Sequence, residues 1–138
     1  MKDKLMFRPL NKEDYEIICK WWKWWRWPII PRVALPENGE CGFMVEKNNK
    51  PIVSAFLYLT NSNVALLEWI VSNPDYREDD RKEAIELLII EAEKACKEMG
   101  VASIFSLGRN KHLMETHKKL GWQIDKKPSY EIIKILNT

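Results

Sequence analysis

Glu68 is the only charged residue between Val64 and Val71, in a run that otherwise reads as a buried strand. Strand alternation puts it on the face of Leu66 and Ile70. A carboxylate drawn into apolar surroundings is disfavoured as the anion, so its pKa rises and it suits a general base. The plainer alternatives are a glutamate facing solvent where two strands splay, or one paired with an arginine. Just downstream, a turn with Pro74 leads into a long amphipathic pattern. Such a turn leaves backbone N–H groups unpaired at the positive end of a helix dipole, an arrangement that suits phosphate. Asp75, Glu78, Asp79, Asp80 and Glu83 crowd this turn beside Arg77, Arg81 and Lys82. Asp80-x-x-Glu83 also reads as a capping box, whose carboxylate would take the N–H groups a phosphate needs. A phosphate site with its bases turned inward and a solvated, self-capped helix start both remain open.

His117 is the second residue able to move a proton near neutrality. An imidazolium can give one up, and a neutral ring can donate a hydrogen bond. Its neighbours Lys118 and Lys119 equally fit an idle surface position. The segment Trp21-Trp22-Lys23-Trp24-Trp25-Arg26-Trp27 is the oddest composition in the chain. On a helix, Tyr15, Ile18, Trp22 and Trp25 form one stripe, while Ile17, Trp21 and Trp24 form another. One core needs one stripe, so the second implies another covered surface. It would be a homodimer contact, further core, or an exposed aromatic wall formed by Trp21, Trp24 and Trp27. An aromatic wall suits an apolar or cationic ligand. Lys23 and Arg26 are too few for a nucleic-acid groove.

The chain has 138 residues and a formal charge of +2. It is expected to form a single domain over residues 1–138 with room for a core. A near-neutral balance gives no field to draw nucleic acid or an anionic membrane. Cys19, Cys41 and Cys96 lack metal-ligand spacing and are odd in number, which points to free thiols, no metal and a cytoplasmic protein. No apolar run approaches the roughly 20 residues that cross a bilayer.

The elements that must position these residues follow from periodicity and turn chemistry. Strands are expected over Lys4–Leu10, Gly42–Lys47, Pro51–Leu59, Val64–Val71 and Val101–Leu107, with a hairpin turn at Asn48-Asn49. Asn11 caps a helix to about Trp25, and a second helix runs from about Arg81 to Met99, closed by Gly100. Its expected core face is Ala84, Ile85, Leu88, Ala92, Ala95, Cys96 and Met99. A third helix spans Asn110–Leu120, and two last strands are expected over Trp122–Asp125 and Tyr130–Leu136. The order β-α-βββ-α-β-α-β(β) predicts an α/β (α+β) domain, a mixed and mostly antiparallel sheet with helices on both faces.

Ile70-Val71-Ser72-Asn73-Pro74-Asp75-Tyr76-Arg77 followed at once by a long helix resembles the acyl-CoA-binding motif of the GNAT acetyltransferase superfamily. That family reads approximately V-x-P-x-Y-R/Q-G-x-G-x-G/A here, and Glu78, Asp80 and Lys82 occupy the glycine positions. A second likeness runs from Arg109 to Trp122, where Asn110, Gly121 and Trp122 match and His117 stands where the family often has a tyrosine acid. The element order matches the GNAT fold over nearly the whole chain, including Arg8-Pro9-Leu10 at the end of the first strand. The resemblance implies acetyl transfer from acetyl-CoA to a small-molecule or peptide amine by direct attack, with Glu68 as base and His117 as acid. It implies coenzyme contacts from Ile70, Val71, Ser72, Arg77, Arg81, Lys82 and Asn110, and places the tryptophan segment beside the acceptor groove. The alternative is a GNAT-fold binding module that has lost coenzyme affinity and holds a partner through its tryptophans.

Overall fold

The computed structural model describes residues 4–136. Its elements run β1 (Met6–Pro9), α1 (Asp14–Trp24), two short turns at Arg32–Ala34 and Pro36–Gly39, β2 (Gly42–Lys47), β3 (Lys50–Leu59), β4 (Val64–Ser72), α2 (Arg81–Glu98), β5 (Ser103–Phe105) and α3 (Lys111–Lys119). The chain divides into two compact units, the first ending at Leu107 and the second beginning at Gly108.

In the first unit the sheet order is β1-β2-β3-β4-β5. The first four strands are antiparallel neighbours, and β5 runs parallel to β4. Asn48 and Asn49 both take left-handed backbone, with φ 51 and 64, which is what a two-residue hairpin between β2 and β3 demands. Gly42 opens β2 close against the backbone of β3. A Cβ there would lie 2.2 Å from the Ala55 carbonyl oxygen and 2.9 Å from the Phe56 Cα.

Both faces of the central strands are covered, as expected from the apolar run of β3. Met44, Phe56 and Val71 pack with Ile18, Trp21 and Trp22 of α1. The alternate residues Val45, Val53, Leu57 and Leu67 are also fully buried, and α2 supplies Ala84, Leu88, Ile89, Ala92 and Cys96. Ile89 belongs to that core although it lay outside the expected face, and Met99 is exposed. The first turn of α1 is tied down by a buried ion pair. Arg8 donates to both Asp14 carboxylate oxygens at 2.8 and 2.9 Å, and Asp14 also accepts from the Asn11 N–H. A buried charge persists only with such partners.

The alternation of β4 breaks once. Phe56 pairs with Glu68 and Ser54 with Val71, so β4 carries one residue more than β3 between those pairs. The break coincides with Trp69 at φ 59, a left-handed conformation that costs a bulky residue about 1–3 kcal/mol. The bulge changes which face the side chains reach. Glu68 faces the α1 side with its partner Phe56, and Trp69 packs against that same core cluster instead of pointing to the opposite face.

In the second unit α3 begins at Asn110, whose side-chain oxygen accepts from the Leu113 N–H at 2.8 Å. It closes at Gly121, with φ 96 and a Trp122 N–H to His117 carbonyl bond of 3.0 Å. The strands expected over Trp122–Asp125 and Tyr130–Leu136 are absent among the described residues. Tyr130, Ile132 and Leu136 are exposed instead. Apolar spacing suggests a strand, but a ladder also needs a partner edge, which local sequence does not specify. The fold class is otherwise as expected, a mixed and mostly antiparallel sheet with helices on both faces.

Candidate active site

Glu68 is 8% exposed. Its Oε2 accepts the backbone N–H of Leu107 at 3.0 Å, just beyond the end of β5. It is therefore neither a surface glutamate nor a carboxylate left bare in the core. Tyr58, two residues along β3 from Phe56, lies on the same sheet face. Its hydroxyl accepts from the Trp69 indole N–H at 2.9 Å and donates to the Ala34 carbonyl at 3.1 Å. Burial raises the Tyr58 phenol, the Trp69 N–H opposes this, and the Glu68 charge adds to the rise. The strand register, Phe56 opposite Glu68 and Tyr58 opposite Leu66, puts the phenol and the carboxylate on one face. Neither Tyr58 nor Trp69 was singled out from sequence. The available signal was a tyrosine hydroxyl inside an apolar run.

Ile70, Val71 and Ser72 complete β4. Val71 pairs with Ser54, and the Ser72 carbonyl accepts the indole N–H of Trp25 at 2.9 Å. Asn73 then turns the chain: its side chain donates to the Pro51 carbonyl at 2.8 Å and accepts from the Asp75 N–H at 2.9 Å.

At the start of α2 the expected capping box does not form. Asp80 occupies the N-cap position but makes no side-chain cap bond. Its carboxylate is drawn aside instead, accepting Lys47 Nζ at 2.8 Å on one oxygen and the Tyr76 hydroxyl at 2.5 Å on the other. Those two contacts, Lys47 first, hold the Asp80 acid below the usual carboxylate range. Burial and the same carboxylate push the Tyr76 phenol well up. An ammonium and a phenol satisfy the carboxylate better than the helix amides do, because the lysine contact is charge-assisted. Arg77, Arg81 and Lys82 are exposed around this helix start.

The tryptophans divide. Trp21 and Trp22 are core residues, and Trp21 is only 5% exposed. Trp24 is 53% exposed and meets Trp25 edge-on at 4.7 Å. Trp27 is half-buried against the α1 core cluster. The second stripe is thus partly core and partly surface. Arg26 ends α1 at φ 63, followed by a Trp27 N–H to Trp22 carbonyl bond of 2.8 Å.

Within the second unit Asn110 and His117 lie on one helix. The side-chain oxygen of Asn110 is engaged as its cap. His117 is 5% exposed, contrary to the surface alternative. Its Nδ1 lies 2.8 Å from the Leu113 carbonyl, which can only accept, so Nδ1 carries a proton. A neutral His117 consequently presents a lone pair at Nε2, a buried atom that has no hydrogen-bond partner among the described residues. Trp122 packs edge-on to the ring at 4.7 Å. Among the described residues no group of three His, Cys, Asp or Glu is arranged to hold a metal ion. No helix among them is long and apolar enough to cross a membrane.

No protein-family profile and no curated protein sequence matches the chain. Solved structures do match. The ribosomal-protein-S18-alanine N-acetyltransferase from Escherichia coli superposes with a TM-score of 0.68 at 18% identity, over 86% of this chain and 77% of that one. The chain has the GNAT acetyltransferase fold. AAC(6')-Iy, in complex with a bisubstrate analogue containing CoA, matches with a TM-score of 0.66 at 19% identity, covering 96% and 99% of the two chains. An aminoglycoside acetyltransferase from an uncultured soil metagenomic sample matches with a TM-score of 0.67 at 10% identity, over 95% and 96%. At these identities the likeness to GNAT proteins is one of fold.

Proposed function

We propose that this GNAT-fold chain is an acetyl-CoA-dependent N-acetyltransferase acting on a small-molecule or peptide amine. The observation that carries the reading is the uncapped start of α2. The acid that fills a glycine position of the family motif is bound away by Lys47 and Tyr76, so it does not take the first-turn amides. A helix start that Asp80 does not cap, the helix dipole and the cations Arg77, Arg81 and Lys82 form an arrangement suited to a diphosphate. The likeness to AAC(6')-Iy, whose bound analogue contains CoA, agrees with this.

In the proposed reaction Glu68 takes a proton from the acceptor ammonium, directly or through water. The freed amine attacks the thioester carbonyl. A C–N bond forms, the nitrogen loses its second proton to water, the C–S bond breaks, and the sulfur leaves as a thiolate that His117 protonates. Because Nδ1–H of His117 is held by the Leu113 carbonyl, His117 performs the acid step only when Nε2 is also protonated. Backbone groups of Ile70, Val71 and Ser72 would hold the pantetheine arm, and Asn110 would lie beside the coenzyme. The exposed Trp24–Trp25 pair favours the second reading, a partner-binding GNAT-fold module, over a surface with no role.

Mass spectrometry of amines incubated with acetyl-CoA and the full chain tests the activity. Acetylated amine is expected, and Glu68→Gln, whose amide oxygen can still accept from Leu107, is expected to slow its formation by about 10²–10⁴-fold. An unchanged rate in Glu68→Gln would remove the base from the mechanism.

A further inference from the structure

The segment between α1 and β2 is tethered at three places. The Tyr15 hydroxyl donates to the Ile30 carbonyl at 2.8 Å. Arg32, stacked over the Tyr15 ring, donates to the Lys12 and Asn38 carbonyls. These two tethers fix the segment to α1 and to itself. The third is different, because it reaches the sheet: Trp69 Nε1–H to Tyr58 hydroxyl, and Tyr58 hydroxyl to the Ala34 carbonyl. It starts at the left-handed bulge residue next to Glu68 and ends in the Arg32–Ala34 turn. Both links use the same hydroxyl, once as acceptor and once as donor, so its proton is committed. Only the bulge brings the Trp69 indole to this face. The strained backbone and the bond it enables therefore belong to one arrangement.

We infer that the Trp69–Tyr58–Ala34 relay holds the Arg32–Ala34 turn beside the Glu68 face and so determines which amines reach that carboxylate. The inference rests on the acetyltransferase reading. Tyr58 and Trp69 are positioning residues, since they act through the turn and not on the reacting atoms. The half-buried rings and the Arg32 cation of the turn favour an acceptor whose amine is carried on an apolar or aromatic body over one carried on a polycation.

The test uses the full-length chain with phenethylamine, hexylamine and spermidine as probe amines, comparing wild type, Tyr58→Phe and Trp69→Phe. Tyr58→Phe keeps the ring and removes both links. It is expected to speed hydrogen exchange at the Ala34 and Leu35 amides by on the order of fivefold, the equivalent of one lost hydrogen bond. The KM for phenethylamine and hexylamine should rise by about tenfold relative to spermidine, while kcat changes less and the KM for acetyl-CoA stays put. Trp69→Phe should shift selectivity in the same direction by a smaller factor. Unchanged exchange in both variants would overturn the relay. A fall in kcat with the wild-type ranking of amines retained would overturn its role in selection and leave the acetyltransferase reading standing. Failure of the wild-type chain to acetylate any of the three amines, with exchange still accelerated in Tyr58→Phe, would overturn the acceptor role together with that reading and leave only a structural tether.

Discussion

Glu68 lies within a sheet face and is met by a backbone N–H, whereas Asp80 stands at the start of α2 and is met by a lysine and a phenol. The two carboxylates are handled in opposite ways. The Leu107 N–H holds one oxygen of Glu68 in place within the sheet face. Lys47 fixes Asp80 as an anion and takes it out of competition for the helix start. Charge at these two positions is thus organised largely by Leu107 and Lys47, both remote in sequence, with Tyr76 as the one local partner.

The largest effect that would test the contrast is at Glu68. Glu68→Ala leaves the Leu107 N–H without its acceptor, and the expected loss is about 1–3 kcal/mol in denaturant unfolding, with Glu68→Gln losing much less. Equal stability of the two variants would mean that the carboxylate is not held as described. At Asp80 the expected stability change is smaller. Asp80→Asn should cost at most about 1 kcal/mol, because the Lys47 pair lies near the surface. The sign with pH follows from the lowered acid. Its contribution is present above the ordinary carboxylate value of 3.8 and disappears as pH falls through the lower folded value, so wild type and Asp80→Asn should converge in Tm only at acid pH. Convergence near neutral pH would contradict the ion pair.

The smallest expected change separates two left-handed residues. Arg26 at φ 63 closes an exposed helix end, while Trp69 at φ 59 also supplies an indole bond. Arg26→Gly relieves strain alone and should raise stability by about 1 kcal/mol, seen as a higher Tm. Trp69→Gly relieves similar strain but removes packing and the Tyr58 link, so a net loss is expected. A gain at both positions would deny the bulge any structural purpose.

Much of the fold was legible before the structure. The three central strands, the Asn48-Asn49 turn, α2 and its Gly100 stop follow from period, turn residues and caps. The bulge did not follow, because tryptophan gives no signal for left-handed backbone and nothing in β4 resembles a glycine break. The Asp80–Lys47 pair and the Arg8–Asp14 pair depend on tertiary placement, which local capping rules do not see. In the C-terminal segment the apolar spacing was real but did not supply a ladder. The tryptophan segment divides for a related reason: helical stripes identify faces, and only packing decides which face is covered.

Calorimetric titration of acetyl-CoA into the full chain bears most directly on the central claim that the acidic turn still accepts the coenzyme. The account predicts binding with a Kd in the micromolar range, about 8 kcal/mol, weakening as salt is added because the exposed cations contribute. Asp80→Gly should bind more tightly, since a like charge leaves the helix start. No heat at millimolar acetyl-CoA from either protein would contradict the account and favour the binding module.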